Sequence, residues 1–212
     1  MNSIIEVLPI MSPVGETNTY IVFDPKEKQA VIIDPAGEEK RIAEKIRELG
    51  ARPTAILLTH GHYDHVGAVE VLKKLYGIPV YCGEGDRDLL LYSEEILRDF
   101  GINCPVSADC YLRGGENLSF GTLSLEVIST PGHSGGSICY LIPGEALISG
   151  DTLFFESIGR TDFNHPKMYG DQTQLLESLN KLMDRLRDNI AVYPGHGCAT
   201  TIGHERMYNP FI

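Results

Sequence analysis

The 212-residue chain is 42% hydrophobic and 22% charged, ordinary proportions for a globular protein and length enough for one domain over residues 1–212. Eighteen Lys and Arg against 29 Asp and Glu leave a net charge of −11, without the basic face that binding a phosphate backbone requires, so no nucleic-acid partner is expected. No run reaches the ~18 apolar residues of a membrane-spanning helix, and Met1-Asn2-Ser3-Ile4-Ile5-Glu6 has no basic segment leading into an apolar core, so the expected location is the cytoplasm, away from any membrane.

In chain order, Ile4 to Pro9, Thr19 to Phe23 and Gln29 to Ile33 read as strands separated by turn signals. Glu38 to Leu49 carries Ile42, Ile46 and Leu49 at helical spacing, with Gly50 as its stop. Thr54 to Leu58 is a further strand, Gly67 to Tyr76 a helix and Ile78 to Cys82 a strand. Leu89 to Phe100 is predicted helical. Leu112 to Ile142 reads mostly as strand, broken at Gly114-Gly115, at Gly121 and by a loop around His133. Short apolar runs also end at Gly150 and Val192. Asp171 to Arg187 is a helix with Leu175, Leu179, Leu182 and Leu186 on one side, and Phe154 to Gly170 is the longest irregular stretch. This mixture predicts an α/β fold of sheets packed face to face with helices outside. The five cysteines, at 82, 104, 110, 139 and 198, form no C-x-x-C and read as reduced thiols, Cys82 and Cys139 in the core.

The densest chemistry follows the strand ending at Leu58. His60-Gly61-His62-Tyr63-Asp64-His65 places three imidazoles and a carboxylate within six residues. These are donors that zinc accepts and that iron and manganese tolerate. A tight loop can aim His60 and His62 to one side and Asp64 and His65 to the other, serving two adjacent ions. His133 in Pro131-Gly132-His133, Asp151 after Gly150 and His196 in Pro194-Gly195-His196-Gly197 each stand just past an apolar run, beside glycine. Loops at strand ends are where α/β proteins place their chemistry.

With Gly150-Asp151-Thr152-Leu153-Phe154, Ile158-Gly159-Arg160-Thr161-Asp162-Phe163 and Asn209-Pro210-Phe211, this set resembles the metallo-β-lactamase superfamily, and within it the glyoxalase II branch. The resemblance implies a four-layer αββα sandwich. It implies His60, His62 and His133 on one divalent ion, Asp64, His65 and His196 on a second, and Asp151 bridging both. Zinc is the first expectation for the two ions, with iron or manganese as alternatives. A hydroxide between the two ions would attack a thioester such as S-lactoylglutathione or a related acyl-thiol, with Asp64 orienting it. A thiol leaves with a pKa near ~8.5, so such cleavage needs little help from a general acid.

The chain departs from the longer glyoxalase II enzymes in lacking their C-terminal helical domain. Arg160 stands where they have a substrate-contacting lysine, and Asp162 near where they have a tyrosine. Arg160 is therefore the candidate contact for an anionic substrate, with pairing to Asp162 as the structural alternative. Cys198, two residues after His196, reads as a bystander thiol, and His165 and His204 match no ligand position. Three other functions share parts of the pattern. These are an iron-dependent persulfide dioxygenase using His60, His133 and Asp151, a lactone or β-lactam hydrolase, and a metal-binding sensor without turnover.

Overall fold

In a computed structural model, which describes residues 3–163, 165 and 167–212, the strands form two six-stranded sheets. The first runs in chain order through β1 (Ile4–Ser12), β2 (Gly15–Asp24), β3 (Gln29–Ile33), β4 (Arg52–Leu57), β5 (Val80–Gly83) and β6 (Cys110–Leu112). β1 to β3 form an antiparallel meander. From β3 to β6 the pairing is parallel, which demands a crossover at each step. The helices α1 (Glu39–Glu48), α2 (Val69–Tyr76) and α3 (Arg87–Asp99) supply the three crossovers.

The second sheet contains β7 (Asn117–Phe120), β8 (Leu123–Ser129), β9 (Ile138–Ile142) and β10 (Ala146–Gly150), followed by β13 (Ala191–Pro194) and β14 (Thr200–Thr201). β10 pairs in parallel with β13 across a connection that holds α4 (Gln172–Arg185), whose N-cap Asp171 accepts from the Gln174 amide. A separate hairpin, β11 (Leu153–Phe154) and β12 (Ser157–Ile158), precedes α4, and α5 (Ile202–Tyr208) follows β14.

Strand alternation sorts the apolar side chains into three layers. Tyr20, Val22, Val31, Ile33, Ala55 and Leu57 face the second sheet and pack with Leu125, Val127, Tyr140 and Ile148. Their neighbours Ile21, Phe23, Ile32 and Ile56 face the other way, against Ile42, Ile46, Leu72 and Leu90. Beyond the second sheet, Cys139, Leu141, Leu147 and Val192 pack under Leu175, Leu179, Leu182 and Ile202. Three cores between four layers make the αββα sandwich.

Two features were not legible in the periodicity. The hairpin β11–β12 interrupts the stretch expected to be irregular, because two-residue strands carry no measurable alternation. Helix α5 has only seven residues, although Thr201 caps it by accepting from the His204 amide. Of the irregular stretch, Asn164 and Pro166 lie outside the described residues.

Two tyrosines tie the sheets together in opposite senses. The Tyr20 hydroxyl, from the first sheet, donates to the Pro194 carbonyl at 2.5 Å. The Tyr140 hydroxyl, from the second, donates to the Leu58 carbonyl at 2.8 Å. Burial pushes both phenols up, so they stay neutral donors at any physiological pH. Each bond anchors a strand end two residues before a candidate donor, His196 in one case and His60 in the other. Asn18 reinforces the first anchor, its Nδ2 donating to the Pro194 and Gly197 carbonyls at 3.0 and 2.9 Å. Tyr140→Phe should lower unfolding free energy by about 1–2 kcal/mol, because the buried Leu58 carbonyl loses its side-chain donor, and Tyr20→Phe should cost less, because the Pro194 carbonyl keeps Asn18. Denaturant titration of the purified variants measures this.

Candidate metal centre

The structure brings His60, His62, Asp64, His65, His133, Asp151 and His196 into one crevice at the strand ends, all buried except the half-buried His196. The loop after β4 holds the first two, and a 3-10 turn, Tyr63–His65, presents Asp64 and His65. Two carboxylates that the sequence did not single out shape these loops. Asp34, just past β3, adopts a left-handed backbone (φ 49°) that is uncommon for a residue other than glycine. From there its Oδ1 accepts from the Thr59 amide at 2.7 Å, and its Oδ2 lies 2.5 Å from the Thr59 hydroxyl and 3.0 Å from His65 Nδ1. Asp86, fully buried, accepts from the Gly61 amide at 2.7 Å, the Gly136 amide at 2.6 Å and the Ser134 hydroxyl at 2.7 Å. It therefore ties the His60 loop to the His133 loop.

Each imidazole has one nitrogen engaged by the protein and the other turned inward. His60 Nδ1 lies 3.0 Å from the Thr59 hydroxyl, His133 Nδ1 2.8 Å from the Arg160 carbonyl and His196 Nδ1 2.7 Å from the Glu16 carbonyl. His65 uses Asp34 in the same way. These acceptors engage each Nδ1 and leave each Nε2 facing the interior of the centre. His62 is reversed, with Nε2 3.4 Å from the Met168 carbonyl and Nδ1 facing inward. Its Nδ1 lies 2.9 Å from His133 Nε2, a spacing that two lone pairs tolerate only with a proton or cation between them.

The inward atoms fall into groups close enough to share an ion: His60, His62 and His133 in one, Asp64, His65 and His196 in another. Asp151 stands between them, with Oδ2 3.5 Å from both His133 Nε2 and His196 Nε2, and Oδ1 3.5 Å from His65 Nε2. Donors about 2.0–2.1 Å from one tetrahedral ion lie roughly 3.3 Å apart, close to these spacings. His60 Nε2, His65 Nε2 and Asp151 Oδ1 are buried without a hydrogen-bond partner, as atoms reserved for a cation would be. A third grouping, Asp34 with His60 and His65, also falls within reach. The Asp34 oxygens are already committed to Thr59 and His65, so that carboxylate is a support and not a donor.

Charge divides the two groups. Burial pulls His60 well below its ordinary pKa, and burial with the neighbouring His133 brings His62 to about 4. His133 is also lowered by burial. In the second group burial works in the same direction but is outweighed. Asp151, Asp64 and Asp34 raise His65 to about 9, and hydrogen bonds to Asp151 and Asp64 raise His196 to about 11. Asp64 and Asp151, despite burial, are held ionised mainly by His65.

A cleft of about 770 Å³ opens onto the centre, exposing His62, Asp64, His133, Asp151 and His196. Arg160 lies on its wall, with Nε donating to Asp162 Oδ1 at 2.9 Å and the guanidinium 5.0 Å from the Phe163 ring. Cys198 also lines the cleft but joins none of the donor groups found among the described residues. His165 stacks on Tyr92, and His204 meets Glu156 and Phe155, so both lie outside the centre. Gly195 passes so close beneath that an added Cβ would sit 2.1 Å from Asp151 Oδ1 and 2.7 Å from His65 Cε1. Gly195→Ala should keep the folded circular-dichroism spectrum yet retain less than half the bound divalent metal on elemental analysis.

Residues 12–196 match the family model for the metallo-beta-lactamase superfamily. Among relatives, the chain is 37% identical to "Probable metallo-hydrolase YqgX" of Bacillus subtilis, over 94% of this chain and 95% of that one. It is 36% identical to "Hydroxyacylglutathione hydrolase GloC" of Haemophilus influenzae, over 98% and 97%. Among solved structures it resembles BLEG-1 B3 metallo-beta-lactamase (TM-score 0.87, 38% identity, covering 98% and 99%) and TTHA1623 in a di-iron-bound form (0.83, 35%, 97% and 100%). ETHE1 from Myxococcus xanthus is also similar (0.79, 31%, 98% and 83%). The family match and the likeness of fold agree: the chain belongs to the metallo-beta-lactamase superfamily.

Proposed function

We propose that this protein is a metal-dependent hydrolase of small thioesters, S-lactoylglutathione or a related acyl-thiol. The observation that carries the reading is the pair of adjoining donor groups, with Asp151 between them and one face open to a cleft of small-molecule size. Similarity to a protein named hydroxyacylglutathione hydrolase, across 97% of that chain, supports the substrate class. In this reading His60, His62 and His133 hold one divalent ion, Asp64, His65 and His196 a second, and Asp151 bridges them. Zinc, iron or manganese would suit such donors, and di-iron in TTHA1623 keeps iron in contention. Five unpaired cysteines fit a reducing compartment, and we place the protein in the cytoplasm.

A divalent pair held there supplies water activation near neutral pH and polarisation of an acyl oxygen. The chain's own part is positioning. The carbonyls of Arg160, Met168 and Glu16 orient His133, His62 and His196. Asp64 is ionised and lines the cleft, where its carboxylate accepts a proton from the attacking water and orients it. The water oxygen bonds to the acyl carbon, the carbon–sulfur bond breaks and the thiolate departs. Arg160 stands on the cleft wall with its guanidinium paired to Asp162. A dioxygenase using only His60, His133 and Asp151 would leave His62 and the whole second group without work. Lactam hydrolysis, favoured by the likeness to BLEG-1, is the second reading and is tested in the same assay.

Metal-loaded protein should hydrolyse S-lactoylglutathione, lose the activity on chelation and regain it with zinc, iron or manganese. Turnover of a β-lactam alone would favour the second reading. Asp151→Ala should weaken both sites, whereas His196→Ala should mainly empty one, and equal loss of a single ion in both variants would remove the bridge. Metal loading near pH 7 should release about two protons, from His65 and His196, the groups raised above neutrality. His60, His62 and His133 are lowered and already neutral, so they release none. Affinity should therefore fall as pH falls. Calorimetry in buffers of different ionisation enthalpy counts the protons.

A further inference from the structure

Resting on the hydrolase reading above, we infer that the cleft selects thioesters whose thiol arm is an uncharged chain rather than a peptide thiol bearing free carboxylates. Apart from the imidazoles, the described residues of the lining offer one cation, Arg160. That guanidinium is already engaged, bonded to Asp162 and lying over Phe163. Most of the remaining wall is apolar: Val14, Phe154, Phe155, Ile158, Phe163 and Met168. Val14 and Phe155 come from different turns, and they remain 56% and 44% exposed. Apolar surface left exposed on a cleft wall is the mark of a place that an apolar ligand covers.

The aromatic part of this wall is fixed. At the tip of the β11–β12 hairpin Glu156 takes a left-handed backbone (φ 52°), and its amide donates to Glu205 Oε2 at 2.9 Å. Glu205 is fully buried and also accepts from the Thr200 hydroxyl at 2.6 Å and from Asn209 Nδ2 at 2.8 Å. Asn209 in turn donates to the Ser157 carbonyl at 3.0 Å. The hairpin cannot swing aside without leaving a buried carboxylate short of donors, so Phe154 and Phe155 stay in place. A carboxylate on the arm would meet the neutral hydroxyls of Tyr63 and Ser157 and an arginine already paired with Asp162, and no free cationic side chain among the described residues of the wall. The net charge of −11 repels it further. An arm of amides and methylenes buries apolar surface and meets no such penalty.

The test compares S-lactoylglutathione with its N-acetyl diethyl ester, which has the same skeleton and no charge, on metal-loaded protein. The corresponding S-methyl thioethers are titrated by calorimetry in parallel. The neutral thioester should show kcat/KM at least about tenfold higher, and the neutral thioether should bind tighter by a similar factor. Phe155→Arg, at an exposed position, should reverse the order by adding a cation to the wall. Equal or tighter binding of the charged thioether to the unaltered protein would overturn the inference whatever the rates. No turnover of either thioester, with the neutral thioether still preferred, would overturn the hydrolase reading and leave the cleft's preference standing.

Discussion

A buried imidazole has two nitrogens, and only one can be given to a metal. The other must find an acceptor in the protein, or the ring neither holds its tautomer nor its orientation. Here the acceptors are the Thr59 hydroxyl, the Asp34 carboxylate and the carbonyls of Glu16, Arg160 and Met168. Three belong to the first sheet and the loops leaving it, and two to the stretch that follows β12. Much of the architecture around the centre can be understood as placing these five oxygens. Asp34 accepts an unfavourable backbone conformation to do so, and Asp86 is kept fully buried with every hydrogen bond provided. That burial alone would raise its pKa, and the Ser134, Gly61 and Gly136 donors oppose the rise.

This division explains what could be read from the chain and what could not. The clustered donors from His60 to His65 were legible because four metal-binding residues fall within six positions, and His133, Asp151 and His196 because each follows an apolar run beside glycine. The layer order was legible because residues such as Tyr20 and Ile21 alternate strictly between two cores. Asp34 and Asp86 were not, since a single aspartate in a loop looks like any turn former. Their importance arises only when Thr59 and Gly136 arrive from elsewhere in the chain. Tyr20 and Tyr140 were hidden for the same reason: in sequence each is an aromatic residue in a strand, and its partner carbonyl lies 174 or 82 positions away.

The centre and the cleft answer to different constraints. The centre is polar, saturated with hydrogen bonds and closed by glycines such as Gly195, where even a methyl group would collide with Asp151 and His65. The cleft wall is built from short, irregular segments, the β1–β2 turn and the β11–β12 hairpin, braced by the buried Glu205 of α5. A lineage can keep the first unchanged while the second varies.

The reciprocal tyrosines have a consequence for how this protein tolerates change. Each holds the interface between the sheets and, with the same hydrogen bond, sets the position of a strand end that carries a donor. Packing and chemistry therefore draw on common bonds. A substitution deep in the interface, far from any substrate, would surface as a defect in metal retention, and a bound ion clamps the two sheets like a rivet, adding its binding free energy to the fold. Durability and activity in this molecule are coupled traits, and neither can be tuned by engineering or drift without moving the other.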